Sequence, residues 1–202
     1  MTSQRIIIWV AALTLLLASG LCCWVYWRST HQPRRHGFPL GIVIHHTATP
    51  PYLNGKLVNV ATIDAMHAAR AFHVVDPKTG KVYHIGYHFL VLQNGAILHG
   101  RPEYLPGAHA KGHPQTLGIA LVGNFQRSSN RGECGPCTPP PAQLHSLIWL
   151  TRYLMAKYQL TPAEVYLHRD LRQTACPGDA FPREQFYHAI THPGTPEYAV
   201  KP

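Results

Sequence analysis

Apolar residues are distributed along this chain in two different ways. Residues 6–27 are almost uninterrupted apolar sequence, whereas beyond residue 37 the apolar runs are short and separated by polar, glycine- or proline-containing stretches. A long continuous run is typical of a membrane span, and short runs with turns between them are typical of a compact domain. The pattern therefore predicts an N-terminal transmembrane helix followed by one folded domain.

Short apolar runs in the second part predict the strands of a sheet. Residues 42–44 are β-branched and fully apolar, which is the composition of a buried central strand. Similar runs occur at 87–93, 96–99, 117–122 and 165–167. The Asn94-Gly95 dipeptide between the second and third runs indicates a two-residue hairpin turn.

Helical spacing of apolar residues predicts helices that cover this sheet. Apolar side chains recur on one face over residues 60–73, and more clearly over 144–158, where Thr138 is the predicted cap. A closing helix is predicted over 182–190. Strands that alternate with helices, with a hairpin between them, predict an α/β fold, in which a mixed central β-sheet is flanked by helices in a single domain.

The apolar N-terminal segment is long enough to cross the hydrocarbon core of a bilayer as a helix. Trp24, Tyr26 and Trp27 stand where an interfacial aromatic belt would lie. A cleavable signal usually has a shorter apolar region that ends in small residues, and residues 18–23 match that pattern poorly. We therefore expect an uncleaved signal anchor, with a cleaved export signal as the alternative.

Composition shifts divide the rest of the chain. The polar, proline-containing stretch after the anchor is typical of a tether. The C-terminal end contains proline and glycine without periodicity, which is typical of a loose tail. The expected organisation is an anchor over 1–28, a tether over 29–39, a catalytic domain over 40–190 and a tail over 191–202.

The charge balance favours an anionic partner. The chain has 18 Lys and Arg residues against 9 Asp and Glu, and a formal net charge of +9. Such a surplus suits nucleic acid, anionic lipid or a cell-wall polymer. The basic residues are dispersed and accompany no nucleic-acid motif, so we expect no nucleic-acid binding.

A histidine and a cysteine near the end of the domain indicate a metal site. His168 and Cys176 are eight residues apart, and a proline-glycine turn follows the cysteine. Imidazole and thiolate are ligands that Zn²⁺ prefers, and a tetrahedral site needs a further ligand from a separate segment. The best candidate is His45, where the first predicted strand ends in two histidines and a hydroxyl. His46 and His88 would point to the opposite sheet face, so we expect them to be packing groups or groups that support the metal ligands from behind.

Five short motifs occur along the domain, and their order is more specific than any single motif. They are Ile-His-His-Thr-Ala at 44–48, Gly-Tyr-His-Phe at 86–89, Gly-Ala-His-Ala-Lys-Gly at 107–112, Gly-Ile-Ala-Leu-Val-Gly-Asn at 118–124 and His-Arg-Asp-Leu-Arg-Gln-Thr-Ala-Cys-Pro at 168–177. In this order the domain resembles the zinc-dependent N-acetylmuramoyl-L-alanine amidases of the type 2 family, which include phage lysozyme-like amidases and peptidoglycan recognition proteins. The resemblance implies a mixed sheet flanked by helices and one Zn²⁺ held by His45, His168 and Cys176.

The same resemblance implies an enzyme that hydrolyses the amide bond between N-acetylmuramic acid and L-alanine of peptidoglycan. Zinc lowers the pKa of a bound water to about 7 and polarises a carbonyl. The family further implies that Tyr87 and Thr174 assist, and as hydroxyl donors they would stabilise an oxyanion. The sequence has no His-Glu-x-x-His helix, so the glutamate base of that protease class is absent and His109 is an auxiliary candidate for proton transfer. The alternative for Tyr87 is an ordinary strand aromatic.

Two other functions stay open on the sequence. The first is a non-catalytic peptidoglycan-binding receptor on the same fold, which would have no need of the candidate thiolate at Cys176. The second is a thiol oxidoreductase that uses Cys134 and Cys137, which are spaced like a redox motif. These two cysteines lie in a polar excursion without the strand-to-helix setting of a redox site. A disulfide in an oxidising compartment is therefore the preferred interpretation, ahead of a second metal site.

The implied substrate determines the expected location. We expect a monomer, held in the cytoplasmic membrane by a single span, that meets peptidoglycan or muropeptides with its catalytic domain in the periplasm or outside the cell. Met1 is then inside. Arg28, Arg34 and Arg35 oppose this topology, because basic residues are more frequent on the cytoplasmic side of a span.

Overall fold

The computed structural model describes residues 37–192. The predicted anchor over 1–28 lies outside the described residues, as do most of the predicted tether and tail. Within the described part of the chain, no helix is long and apolar enough to cross a membrane. Among the described residues, the first element is a strand that begins at Ile42 and the last is a helix that ends at Thr191.

A five-stranded mixed sheet forms the centre of the domain. In chain order the elements are β1 (Ile42–His46), β2 (Tyr52–Leu53), β3 (Lys56–Leu57), α1 (Val60–Ala68), β4 (Val74–Val75), β5 (Val82–Tyr83), β6 (Phe89–Val91), β7 (Ile97–His99), β8 (Leu117–Leu121), α2 (Pro141–Tyr158), a 3-10 helix (Pro162–Glu164), β9 (Val165–Leu167), α3 (His168–Leu171) and α4 (Arg183–Thr191). The sheet has the spatial order β7-β6-β8-β1-β9, in which β7 is antiparallel and the other pairs are parallel. The predicted mixed sheet flanked by helices is therefore confirmed.

β1 is buried along its whole length. It lies between β8 and β9, both parallel to it, and a strand buried on both faces is apolar on both faces. The carboxyl ends of β1, β6 and β8 meet at the same edge of the sheet, which we call the ligand edge. His45 and His46 lie at this edge, beside Ala120 and Leu121 of β8.

Helices cover the two faces of the sheet. On one face, the fully buried Leu147 and Leu154 of α2 and Phe186 of α4 pack with strand side chains in the larger apolar cluster. On the other face, Ile63 of α1 packs in a second cluster that includes Leu90 of β6. Truncating a buried leucine of this kind to alanine costs about 2–5 kcal/mol, so these contacts hold the sheet and its ligand edge in place.

The predicted Thr138 cap of the long helix is wrong. α2 begins at Pro141, Pro140 occupies the cap position, and no side chain hydrogen bond caps the helix. Proline suits the first helical position because its φ angle is already helical and the amide there has no intrahelical partner. Gln143 then attaches the first turn to the sheet, since its Nε2 donates to the carbonyls of Val91 and Val122.

The first helix is shorter than predicted. α1 ends at Ala68 instead of continuing to residue 73, and Ala71 adopts a left-handed conformation with a φ of 59°. The chain folds back there, and the amide of Phe72 donates to the carbonyl of His67. The apolar periodicity extends beyond the helix because the Phe72 ring packs on the His67 ring, 5.2 Å away.

The β6-β7 hairpin lies where the sequence predicts it, but its loop is longer than two residues. The Leu92 amide donates to Ala96, and the Gly95 amide donates back to the carbonyl of Leu92. Gly95 has a φ of 88°, as expected for the last residue of a three-residue loop that starts with a type I turn. The Asn-Gly dipeptide therefore locates the hairpin without determining its turn type.

Candidate metal centre

The three predicted ligands come from separate segments and lie together at the ligand edge. His45 is in β1, His168 directly follows β9, and Cys176 lies in the loop after α3. One ligand atom of each residue lies within 4.8 Å of those of the other two. β1 and β9 are parallel neighbours, so the fold brings their carboxyl ends together.

The spacing of the donor atoms fits a zinc ion. Sγ of Cys176 lies 3.6 Å from Nδ1 of His45. In a tetrahedral site with Zn–S and Zn–N bonds of ordinary length, sulfur and nitrogen are about 3.6 Å apart. Imidazole nitrogen and thiolate sulfur are both ligands of zinc, and a catalytic zinc site has three protein ligands and one open position.

Backbone contacts hold the Cys176 sulfur at this position. The amide of His46 donates to Sγ at 3.4 Å, and the amide of Arg169 donates to the Cys176 carbonyl at 3.0 Å. The Cys176 amide in turn donates to Oγ1 of Thr174 at 3.3 Å. A hydroxyl that accepts a hydrogen bond still has its own proton to donate, so Thr174 can also act toward a ligand.

The metal ligands line a pocket of about 340 Å³, which we call the metal pocket. Tyr87 and Thr174, the two predicted assisting residues, line the same pocket. Asn124, Gln126 and Ser129, from the segment after β8, line it as well. The fold thus brings five of the six predicted site residues to one cavity.

Loss of solvent contact sets the protonation of these groups. Burial lowers the pKa of His45 well below its usual range, and the neighbouring His109 and His168 lower it further, so its imidazole is neutral. Burial raises the pKa of the Cys176 thiol to about 12, which means that the sulfur keeps its proton until a cation replaces it. Burial likewise raises the pKa of Tyr87, so its hydroxyl remains a donor.

His109, the sixth predicted site residue, lies behind His45. Its Nδ1 is 3.0 Å from Nε2 of His45, and its Nε2 is 2.9 Å from the carbonyl oxygen of Thr116. The residues that line the metal pocket do not include it. Both ring nitrogens are engaged by the protein, so this geometry does not favour proton transfer between His109 and a substrate.

His46 and His88 both accept hydrogen bonds from backbone amides, and His46 also lines the metal pocket. Nδ1 of His46 accepts from the amide of Phe125 at 3.1 Å. Nδ1 of His88 accepts from the amide of Gly118 at 2.9 Å, and its Nε2 contacts the carbonyl of Leu105 at 3.0 Å. These hydrogen bonds fix the loops behind the ligand edge.

The polar residues after β8 that line the metal pocket were not predicted from the sequence. Asn130, which is buried, braces them, because its Nδ2 donates to the carbonyls of Asn124 and Gly135. The side-chain amide of Asn124 also donates to Oγ of Ser129 at 3.0 Å. The composition of this segment predicts only an exposed excursion, and the one available signal was its position directly after a strand that ends at the ligand edge.

His67 of α1 was also missed. Its ring lies 5.2 Å from that of Tyr87, and its Nδ1 accepts from the amide of Gly86 at 2.9 Å. Cys134 and Cys137 are free thiols in the structure, so the disulfide between them is not formed there. Its formation in an oxidising compartment stays a prediction.

Known proteins share this arrangement of sequence and fold. The family described as N-acetylmuramoyl-L-alanine amidase matches residues 35–179. A peptidoglycan-recognition protein of Drosophila melanogaster is 32% identical over 141 residues, which are 68% of this chain and 67% of that protein. The endolysin of Enterobacteria phage T3 is 31% identical over 137 residues, 67% of this chain and 78% of the endolysin.

Solved structures agree with these relatives. The endolysin N-acetylmuramoyl-L-alanine amidase LysCS from Clostridium intestinale has a TM-score of 0.59 and 37% sequence identity, over 76% of this chain and 84% of that one. The Ph2119 endolysin, from a bacteriophage of Thermus scotoductus, has a TM-score of 0.57 and 26% identity over 81% of this chain and 96% of that one. The chain therefore belongs to the type 2 N-acetylmuramoyl-L-alanine amidase family.

Proposed function

We propose that this protein is a zinc-dependent hydrolase that cleaves the amide bond between N-acetylmuramic acid and the L-alanine of the peptidoglycan stem peptide. Membership of the amidase family and relatives named as endolysins support the bond and the substrate class. The observation that carries the proposal is the 3.6 Å approach of Cys176 Sγ and His45 Nδ1, with a donor of His168 within 4.8 Å. A receptor that only binds has no use for such a set of converging ligands.

The metal ligands and the two hydroxyl residues of the metal pocket have different roles in the proposed reaction. Zinc held by His45, His168 and Cys176 would supply a Lewis acid for the scissile carbonyl and would make water a nucleophile at neutral pH. The hydroxyls of Tyr87 and Thr174 donate to the carbonyl oxygen as negative charge develops on it. Because the pKa of Tyr87 is raised, its proton stays in place for that task.

The other residues of the metal pocket suit the uncharged polar groups of a sugar and a peptide. No carboxylate is among the described residues that line the metal pocket. Asn124, Gln126 and Ser129 present uncharged donors and acceptors. Amide and hydroxyl groups of a sugar and a peptide match such a surface, since each polar group finds a partner without a buried charge.

Digestion of a defined substrate tests which bond the protein cleaves. The zinc-loaded full-length chain, in detergent, is incubated with a defined disaccharide-peptide muropeptide, and the products are identified by mass spectrometry. We expect a free stem peptide that begins with L-alanine and a disaccharide that keeps its lactyl carboxyl group. Cleavage at another bond would overturn the proposal, and binding without cleavage would identify the receptor that is its alternative.

We further propose that the catalytic domain lies outside the cytoplasmic membrane, anchored by residues 6–27. The described chain enters the domain at the amino end of β1, where the Leu40 amide donates to the carbonyl of Gln115, while the metal ligands lie at the opposite, carboxyl end of that strand. The reason for the proposal is the substrate, because peptidoglycan, the substrate class of the family, lies outside that membrane. Protease added to intact spheroplasts should remove the domain, and protection until the membrane is permeabilised would contradict this topology.

A further inference from the structure

We infer that His109 is a positioning residue, which acts on the metal through His45 and not on the substrate. This inference rests on the proposed zinc site. It assigns to His109 a different task from the proton transfer that the sequence suggested. It also assigns a task to the carbonyl of Thr116, which has no place in the chemistry itself.

The chain of hydrogen bonds runs in one direction only. The Thr116 carbonyl can only accept, so His109 must carry a proton on Nε2, at 2.9 Å from that oxygen. In a neutral imidazole the other nitrogen then has a lone pair, so Nδ1 of His109 accepts from Nε2 of His45 at 3.0 Å. Nδ1 of His45, which faces Cys176, is left without a proton. That nitrogen is the one a metal needs.

The protein leaves space for this arrangement. A Cβ atom added at Gly118 would lie 2.4 Å from the His109 ring, and one added at Gly107 would lie 2.5 Å from it. Both contacts are far too short for carbon atoms, so two positions without side chains admit the imidazole behind His45. The two glycines belong to the segments 107–112 and 118–124 that the sequence analysis singled out.

Fixing the tautomer matters because a neutral imidazole has two forms. With its proton on Nδ1, His45 would present an N–H to the metal and would have to exchange the proton before binding. An acceptor behind Nε2 favours the competent tautomer and orients the ring, and loss of such a partner typically weakens metal affinity about 10–100-fold. His109 supplies the acceptor and Thr116 orients it.

Two substitutions of the same shape separate positioning from packing. In His109→Asn, a carbonyl oxygen stands near the place of Nδ1 and can accept from His45, whereas His109→Leu has the same branching and no acceptor. Zinc affinity of the metal-stripped full-length chain is measured by competition with a chelating indicator. We expect Leu to weaken affinity about 10–100-fold and Asn to stay within a few fold of the wild type. Equal affinity of the Leu variant and the wild type, or equal losses in both variants, would overturn the inference.

A matched control comes from Gln143, which is also buried and donates to two backbone carbonyls, those of Val91 and Val122. Gln143→Leu should lower the melting temperature of the metal-free chain while leaving its zinc affinity unchanged. A loss of zinc affinity as large as that of His109→Leu would show that any packing defect weakens the site, which contradicts the relay.

A measurement on the wild-type chain tests the inference even if the variants fail to fold. Nitrogen-15 NMR of the histidine rings in the metal-free wild-type chain should show the proton of His45 on Nε2, and a proton on Nδ1 would overturn the inference. If the wild-type chain has that tautomer but binds no zinc, the proposed function fails. If the wild type binds zinc and the Asn and Leu variants do not differ, only the inference fails.

Discussion

Two cavities of this domain differ in a way that shows where its chemistry lies. The metal pocket has a volume of about 340 Å³, whereas a cavity beside α1, here called the side cavity, has about 870 Å³. The side cavity lies among α1, the β4-β5 hairpin and the end of α2, and its polar lining includes Asp64, Tyr83, Arg101, Glu103, Tyr104 and Lys157. Size alone would favour the side cavity as the functional site.

The charged groups of the side cavity are already engaged with the protein. Oδ1 of Asp64 accepts from the amides of His84 and Ile85, and Glu103 accepts from Lys157 and Tyr158. These contacts satisfy the groups that a ligand would otherwise bind.

The buried Arg101 of the side cavity donates to two backbone carbonyls, those of Ile85 and Pro106. Its Nη2 is buried and has no hydrogen-bond partner in the described part of the chain. A single donor that solvent cannot reach does not indicate what would bind there.

The metal pocket has the opposite character. Among the described residues, His45, His168 and Cys176 form a cluster whose donor atoms lie within 4.8 Å of one another and could hold a metal ion. The functional site is therefore located by metal-binding atoms that converge from separate segments, and cavity volume is the weaker guide.

Removing a metal ligand should have the largest effect. Three single variants remove one ligand each: Cys176→Ser, His45→Ala and His168→Ala. Each should lower the zinc content and reduce the activity on the order of 10³-fold or more, because a metal stabilises developing charge by several kcal/mol. Metal analysis and turnover on a muropeptide are measured for each variant. Tyr104→Phe in the side cavity is the control and should match the wild type. Full zinc content and activity in a ligand variant would exclude that residue from the site.

Removing the Tyr87 hydroxyl should have the next largest effect. Tyr87→Phe should keep full zinc content and lower kcat about 10²-fold, because the donor acts on the oxyanion and not on the metal. Stopped assays at saturating substrate give kcat separately from KM. Unchanged turnover would return Tyr87 to the role of an ordinary strand aromatic.

Acid should destabilise the region around the metal pocket. Burial lowers the pKa of His46 and of His88 to about 4, below the value of about 6.5 in an unfolded chain. Between pH 4 and pH 6.5 the unfolded chain binds more protons than the folded chain. The free energy of unfolding is therefore highest above pH 6.5 and falls as the pH drops toward 4, by about 1.4 kcal/mol per pH unit for each such histidine. Melting temperatures of the metal-free chain at pH 7.5 and 4.5 are compared. A smaller decrease in melting temperature in His88→Leu would assign part of the effect to that residue. No decrease in the melting temperature of the wild type would contradict the prediction.

The smallest effect is expected in the side cavity. Glu103→Gln removes the 3.0 Å ion pair with Lys157, which is partly exposed, and should lower the free energy of unfolding by less than about 1 kcal/mol. Turnover should not change. A loss of turnover comparable to that of Tyr87→Phe would show that the side cavity takes part in the reaction and would reverse the comparison.

Local signals made much of this domain predictable. The apolar strand that ends in His45, the hairpin at Asn94-Gly95 and the segment from His168 to Cys176 are short and nearly self-contained, so their meaning can be read from adjacent residues. Errors occurred where the backbone conformation depends on how individual side chains pack. Ala71 ends α1 in a left-handed conformation, and the following turn serves to pack Phe72 on His67.

The sequence by itself determined the fold class, the family and the identity of the three candidate ligands, because strand composition and ordered motifs are properties of neighbouring residues. Only the tertiary structure shows which nitrogen of His45 faces Cys176. It also shows that His109 contacts His45 and does not line the metal pocket, where a substrate would bind. His45 and His109 are 64 residues apart, and their contact leaves no trace in local composition. Hydrogen-bond direction is set by the partners that folding brings together, and for that reason the sequence did not predict the role of His109.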